Sequence, residues 1–215
     1  MIKILPSLAS ANQMQLESEI RRVESVGCLH FDIEDGNFVP NITFGMKTVR
    51  SACKLIPDIS KDAHLMVTNP ADYLEALAEC GFDAVSFHWE AAPYPMRLIN
   101  RIRQLGMRPG IAVNPRTPAC ETEDYLADID YILVMSSEPD HAGECFQTRI
   151  LEKIRQLRQE NDKVEIIVDG GVNLENIGAV VSAGANGVVL GRAIFAAEDV
   201  FETVNKFQQK GSARQ

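Results

Sequence analysis

Four residues define the chemistry open to this chain: His30, Asp32, His64 and Asp169. Each stands at the end of a short apolar run. The runs read His30-Phe31-Asp32-Ile33-Glu34-Asp35-Gly36, His64-Leu65-Met66 and Ile167-Val168-Asp169-Gly170-Gly171. In an extended strand, side chains two apart share a face. His30, Asp32 and Glu34 therefore point one way, while Phe31 and Ile33 pack the other way. Two imidazoles and two carboxylates drawn from three strands can converge on one point. That donor set suits a divalent metal, Zn²⁺ first and Mn²⁺, Fe²⁺ or Co²⁺ as alternatives, with a position open for substrate. Taken singly, the same residues read as polar plugs or turn residues, and Asp35-Gly36 reads as turn chemistry.

Convergence needs elements that bring these strand ends together. Strand-like runs occur at Ile2–Leu5, Cys28–Ile33, Asp62–Val67, Ala84–Phe87, Pro109–Val113, Tyr131–Met135, Glu165–Val168 and Gly187–Leu190. Helical periodicity fills the gaps at Gln13–Val26, Lys47–Leu55, Pro70–Cys80, Tyr94–Gln104, Cys120–Leu126, Thr148–Gln159, Leu174–Ser182 and Asp199–Gln209. Asn69-Pro70, Asn114-Pro115 and Asn173 supply helix caps or first-turn prolines. Alternation of strand and helix demands parallel pairing, each helix crossing over to the next strand. Eight units in 215 residues, about 27 each, predict an α/β fold of the (β/α)8 TIM-barrel type. The expectation is a single domain over 1–215 with a frayed tail from about 208. An open doubly wound sheet is the alternative, but no G-x-G-x-x-G follows the first strand.

The net charge of −9 argues against a nucleic-acid partner, which needs a clustered basic face. It leaves room for a small anion held by local amides and one or two cations. Five single cysteines without a C-x-x-C fit reduced thiols. Charged residues interrupt the first twenty-odd positions, and no run approaches the roughly 18 apolar residues of a membrane span. The chain reads as soluble and cytoplasmic, with no membrane partner.

The stretches His30–Gly45 (HFDIEDGNFVPNITFG), Asp62–Val67 (DAHLMV), Asn114–Pro118 (NPRTP), Val134–Ser136 (VMS) and Val168–Val172 (VDGGV) resemble the ribulose-phosphate 3-epimerase family. With Pro6-Ser7 and Ala183-Gly184-Ala185, the resemblance runs in order along nearly the whole chain. It implies that His30, Asp32, His64 and Asp169 ligate the metal, and that Asp32 and Asp169 are also an acid/base pair. Epimerisation at C3 of a ketose removes a proton on one face and returns it on the other through an enediolate. Ser7 resembles a substrate-contacting hydroxyl, and Met66 and Met135 resemble methionines that wall the reacting centre. Gly170, Gly171, Gly143, Gly191 and Arg192 fall where the family binds the substrate phosphate. The implied partner is a small sugar phosphate such as ribulose 5-phosphate or a ketohexose 6-phosphate, allulose 6-phosphate among them. A homo-oligomer is implied as well. His88 reads either as a hydrogen-bonding support or as part of a packed layer, and Asn114 as a helix cap.

Two departures bear on the substrate. The family pattern N-P-G-F-G-G-Q after strand six is here Ser137-Glu138-Pro139-Asp140-His141-Ala142-Gly143-Glu144, which replaces glycines and adds carboxylates. Glu34 stands where the family carries methionine; it is either a modifier of the metal site or a turn carboxylate bent to solvent. An epimerase or isomerase of an unphosphorylated or altered sugar is therefore the alternative. A non-catalytic sugar-phosphate-binding barrel is a third reading. The D-x-K-x-x-D array of related decarboxylase-type barrels does not occur.

Overall fold

A computed structural model of the protein describes residues 1–139 and 145–212. Eight strands form one sheet: β1 (Lys3–Pro6), β2 (Cys28–Glu34), β3 (Ser60–Met66), β4 (Ala84–His88), β5 (Arg108–Val113), β6 (Tyr131–Met135), β7 (Glu165–Asp169) and β8 (Gly187–Leu190). Every pairing is parallel, in the order β1-β8-β7-β6-β5-β4-β3-β2. A parallel bridge between Ser7 and His30 brings the two ends of the sheet together, so the sheet rolls into a (β/α)8 TIM barrel.

The helices are α1 (Leu16–Val23), α2 (Met46–Leu55), α3 (Leu74–Glu79), α4 (Pro95–Gln104), α5 (Ile150–Glu160), α6 (Ile177–Ala183), α7 (Arg192–Phe195) and α8 (Val200–Ser212). In α1, Glu17 and Glu19 occupy the first turn and Arg21 and Arg22 the last, charges matched to the helix dipole. Two expectations change. The Cys120–Leu126 stretch is not an α-helix but two 3₁₀ turns, Ala119–Glu121 and Glu123–Tyr125. So short a segment gains too few backbone bonds to nucleate a helix, and the Thr122 hydroxyl bonds locally to the Ala119 carbonyl. The tail expected from about 208 is instead helical through Ser212. A Cβ on buried Gly211 would lie 2.8 Å from the Ile2 side chain, so close packing against the residue just ahead of β1 holds that last turn.

Strand alternation divides the core in two. One apolar cluster, with Phe31, Ile33, Leu65 and Phe87, lies between sheet and helices; a second, with Leu5, Leu133, Ile167 and Val189, fills the barrel interior. Each fully buried aliphatic side chain stabilises the fold by ~1.5–3 kcal/mol. The inner positions nearer the carboxyl ends are polar, and the site forms there.

Candidate active site

Register places the polar residues side by side. Asp32 pairs with His64, His64 with Ser86, and Met135 with Asp169. One ligand atom from each of His30, Asp32, His64 and Asp169 lies within 4.8 Å of the others. His64 Nδ1 is 3.1 Å from Asp32 Oδ1 and 3.5 Å from Asp169 Oδ2. Asp32 Oδ2 accepts a 2.5 Å hydrogen bond from the Ser7 hydroxyl. The sheet thus gathers the four residues singled out from sequence, with Ser7 against them.

The two imidazoles are oriented from behind. His30 Nδ1 is 2.7 Å from Asp62 Oδ2, and Asp62 Oδ1 accepts a 2.6 Å bond from the Tyr131 hydroxyl. Burial, then the Asp62 charge, keeps the Tyr131 phenol well above its usual range, so it stays a donor. His64 Nε2 is 2.9 Å from His88 Nε2, and His88 Nδ1 is 3.0 Å from Glu90 Oε2. Burial works against charging His30 and His64, but Asp32 and Asp62 outweigh it at His30, and Asp169 and Asp32 outweigh it at His64, so both are raised. Asp32 is held well below the usual carboxylate range: burial opposes this, and the neighbouring imidazoles of His30 and His64 prevail. Burial pushes His88 down to about 4, leaving it neutral at ordinary pH.

The residues fit a divalent metal. Among the described residues, His30 Nε2 is a buried ring nitrogen without a hydrogen bond, although Asp32 Oδ1 lies 3.2 Å away. A carboxylate behind each histidine's far nitrogen, direct for His30 and through His88 for His64, is the usual way to fix such ligands.

A cavity of about 850 Å³ opens over the quartet. Ser7, Met66, Met135, Gly170, Gly171, Gly191 and Arg192 all line it. Gly143 and most of the acidic turn, residues 140–144, lie outside the described residues; Glu138, at the start of the turn, lines the cavity. Glu34 is not bent out to solvent: it is buried at 5% exposure and lines the cavity. Asp35 does make the turn, accepting from the backbone of Asn37, Phe38 and Thr68.

Of the two readings of His88, the hydrogen-bonding support is the one the structure shows, because it bonds to His64. One further expectation is corrected. Asn114 caps no helix: its backbone N–H donates to Glu90 and its carbonyl accepts from Lys153. Asp62, Tyr131 and Glu90 were not singled out from sequence. Asp62 had a readable signal, standing two residues before His64 in β3 and so on the same face, whereas Glu90 lies beyond the end of β4, where that alternation stops. Tyr131 had none.

Tyr131→Phe tests the support behind His30. It removes a donor from a buried carboxylate and should cost about 1.5–3 kcal/mol of stability, measured by denaturant unfolding. A variant as stable as wild type would show that Asp62 does not depend on that hydroxyl.

Comparison with known proteins agrees with the geometry. The model of the ribulose-phosphate 3 epimerase family matches residues 3–195. The ribulose-phosphate 3-epimerase of Bacillus subtilis (strain 168) is 38% identical over 215 residues, covering 97% of this chain and 99% of the relative. That of Synechocystis sp. is 39% identical, covering 94% and 91%, and the cytoplasmic isoform of Oryza sativa subsp. japonica is 38% identical, covering 96% and 93%. A 3-keto-L-gulonate-6-phosphate decarboxylase from Vibrio cholerae superposes with a TM-score of 0.77 over 100% of this chain and 99% of that one, at 19% identity, a likeness of fold alone. With 38% identity along almost its full length and the family's model spanning all eight strands, this chain belongs to the ribulose-phosphate 3-epimerase family.

Proposed function

We propose that the protein is a metal-dependent 3-epimerase of a ketose phosphate, with Asp32 and Asp169 as the two bases. The observation that carries this reading is the clustering of His30, Asp32, His64 and Asp169 beneath a substrate-sized cavity. His30 Nε2, His64 Nδ1 and one oxygen from each aspartate would hold the metal, Zn²⁺ being the first choice for two nitrogens and two oxygens. When bound, the metal supplies electrophilic stabilisation to oxygens that gain negative charge on enolisation.

The chain's own residues do the rest. One aspartate removes the C3 proton, and the other returns a proton to the opposite face, so the C–H bond broken on one side is remade on the other. The electron pair rests meanwhile in the enediolate. Ser7 orients the Asp32 carboxylate through its hydroxyl. Met66 and Met135 contribute an apolar wall that excludes water from the carbanionic centre. Gly170, Gly171, Gly191 and Arg192 receive the distal phosphate, with Arg192 as the cation. Family membership supports a homo-oligomer, and the cytoplasmic rice relative supports the same compartment here.

One observation favours a second substrate class. The buried Glu34 carboxylate lines the cavity, and carboxylates suit the hydroxyls of unphosphorylated or altered sugars. Metal-loaded protein assayed in D2O against ribulose 5-phosphate, ketohexose 6-phosphates including allulose 6-phosphate, and the matching free sugars separates the two. Exchange at C3 with a phosphosugar supports the first reading. Exchange only with free sugars moves the assignment to the second, and no exchange with any of them overturns both.

A further inference from the structure

The hydrogen bonds behind His64 run in one direction. Two ring nitrogens 2.9 Å apart, His64 Nε2 and His88 Nε2, share a single hydrogen, so one donates and the other accepts. On the far side of His88, Nδ1 is 3.0 Å from Glu90 Oε2. A carboxylate only accepts, so His88 carries its hydrogen on Nδ1 and presents a lone pair at Nε2. His64 must then donate from Nε2, so the hydrogen it can give up is the one on Nδ1, and the Nδ1 lone pair then faces Asp32 and Asp169. That is the nitrogen a metal would take.

The direction is enforced from further out. The other Glu90 oxygen, Oε1, accepts the backbone N–H of Asn114 at 2.9 Å and the hydroxyl of Thr117. Both donors come from the Asn114–Pro118 turn. Buried Lys153 clamps that turn through the carbonyls of Asn114, at 2.7 Å, and Pro115, at 3.1 Å. A backbone N–H cannot reverse its role, so Oε1 must be an acceptor whatever stands at position 90.

We propose that Glu90, held by the Asn114–Pro118 turn and acting through His88, is a positioning residue that sets the tautomer of His64 and so its competence to bind metal. The proposal rests on the quartet being a metal site. It gives the NPRTP motif a purpose that its expected helix cap did not supply.

The decisive variant is isosteric. In Glu90→Gln, the Asn114 N–H requires the amide oxygen at the Oε1 position, which turns the NH2 towards His88 Nδ1. His88 must then accept there, carry its hydrogen on Nε2 and donate to His64. The His64 hydrogen is displaced to Nδ1, where it blocks the metal. Metal affinity, read by competition of Zn²⁺ between protein and a chromogenic chelator, should fall about 10–100-fold. Thr117→Val removes one donor from Glu90 but keeps the backbone N–H and hence the direction; its affinity should stay within about threefold of wild type. A merely structural role for Glu90 would move both variants.

The wild-type protein gives a reading that depends on no variant. In the Zn²⁺-loaded state, ¹⁵N NMR should find His88 neutral with its hydrogen on Nδ1. A hydrogen on His88 Nε2, or a Glu90→Gln protein that binds Zn²⁺ as tightly as wild type, overturns the proposal. Wild-type protein that binds no Zn²⁺ overturns the metal site instead, so the two failures are distinct.

Discussion

Asp169→Asn should reduce epimerisation on the order of 10²–10⁴-fold at saturating metal while the barrel stays folded. Asparagine has the same shape and can still face His64, whose Nδ1 lies 3.5 Å from Asp169 Oδ2, but it can neither take nor return a proton. The Asp32 carboxylate is untouched: it keeps its bond from Ser7 and its contact with His64. One working base permits removal and return of a proton on a single face. The variant should therefore still wash the C3 hydrogen of one epimer into D2O while failing to invert it. Asp32→Asn should show the mirror behaviour, exchanging the other epimer. Proton NMR of each epimer in D2O, with circular dichroism as the check on folding, separates these outcomes. Equal loss of exchange from both epimers would point to metal loss rather than base loss, and unimpaired epimerisation would remove Asp169 from the chemistry.

The grouping of these residues is legible in the sequence, and the reason is geometric. Period-two alternation along β2 puts His30, Asp32 and Glu34 on one face whatever the details of packing. Parallel strands joined by helices then bring all their carboxyl ends to one side of the barrel. What sequence could not reveal was cross-strand partnership. Tyr131 reaches Asp62 because its ring lies over Gly110, where any Cβ would collide with the ring. Nothing local to either segment announces that fit. Glu90 was hidden differently. It follows β4 in the short turn Trp89–Ala91, and its partners Asn114 and Thr117 belong to a segment that reads as a helix start. Helix-capping preferences describe what Asn and Pro do when a helix follows; here the turn is used to hold a carboxylate. The acidic segment after β6 was the clearest departure in sequence. Its central residues, 140–144, lie outside those described, so among the described residues its reach to the cavity wall is through Ser137 and Glu138.

Gly171→Ala should cost about 2–4 kcal/mol of stability and raise KM for a phosphosugar at least tenfold, with a smaller effect on kcat. Gly171 has φ of 63°, the left-handed region, which costs an L-residue roughly 1–2 kcal/mol by itself. Its Cβ would stand 2.8 Å from Phe146 N and 3.1 Å from Phe146 Cα. These are backbone atoms that cannot rotate aside. The neighbouring Gln147 N–H is bonded to the Ser136 carbonyl at 2.8 Å, and the Ser136 N–H to the Asp169 carbonyl at 2.6 Å. The turn after β7 and the segment entering α5 are thus stitched together around a glycine, and a methyl group must part them. Both line the cavity, and Gly171 is among the residues proposed for the distal phosphate. Gly106→Ala provides the reference, because Gly106 has φ of 82° with nothing within 4 Å of its Cβ position. It bears the dihedral cost alone. The difference in unfolding free energy between the two variants isolates the contact with Phe146, and steady-state kinetics show whether that contact also shapes the substrate's resting place. If Gly171→Ala matches Gly106→Ala in both stability and KM, the turn yields without consequence and the phosphate belongs elsewhere in the cavity.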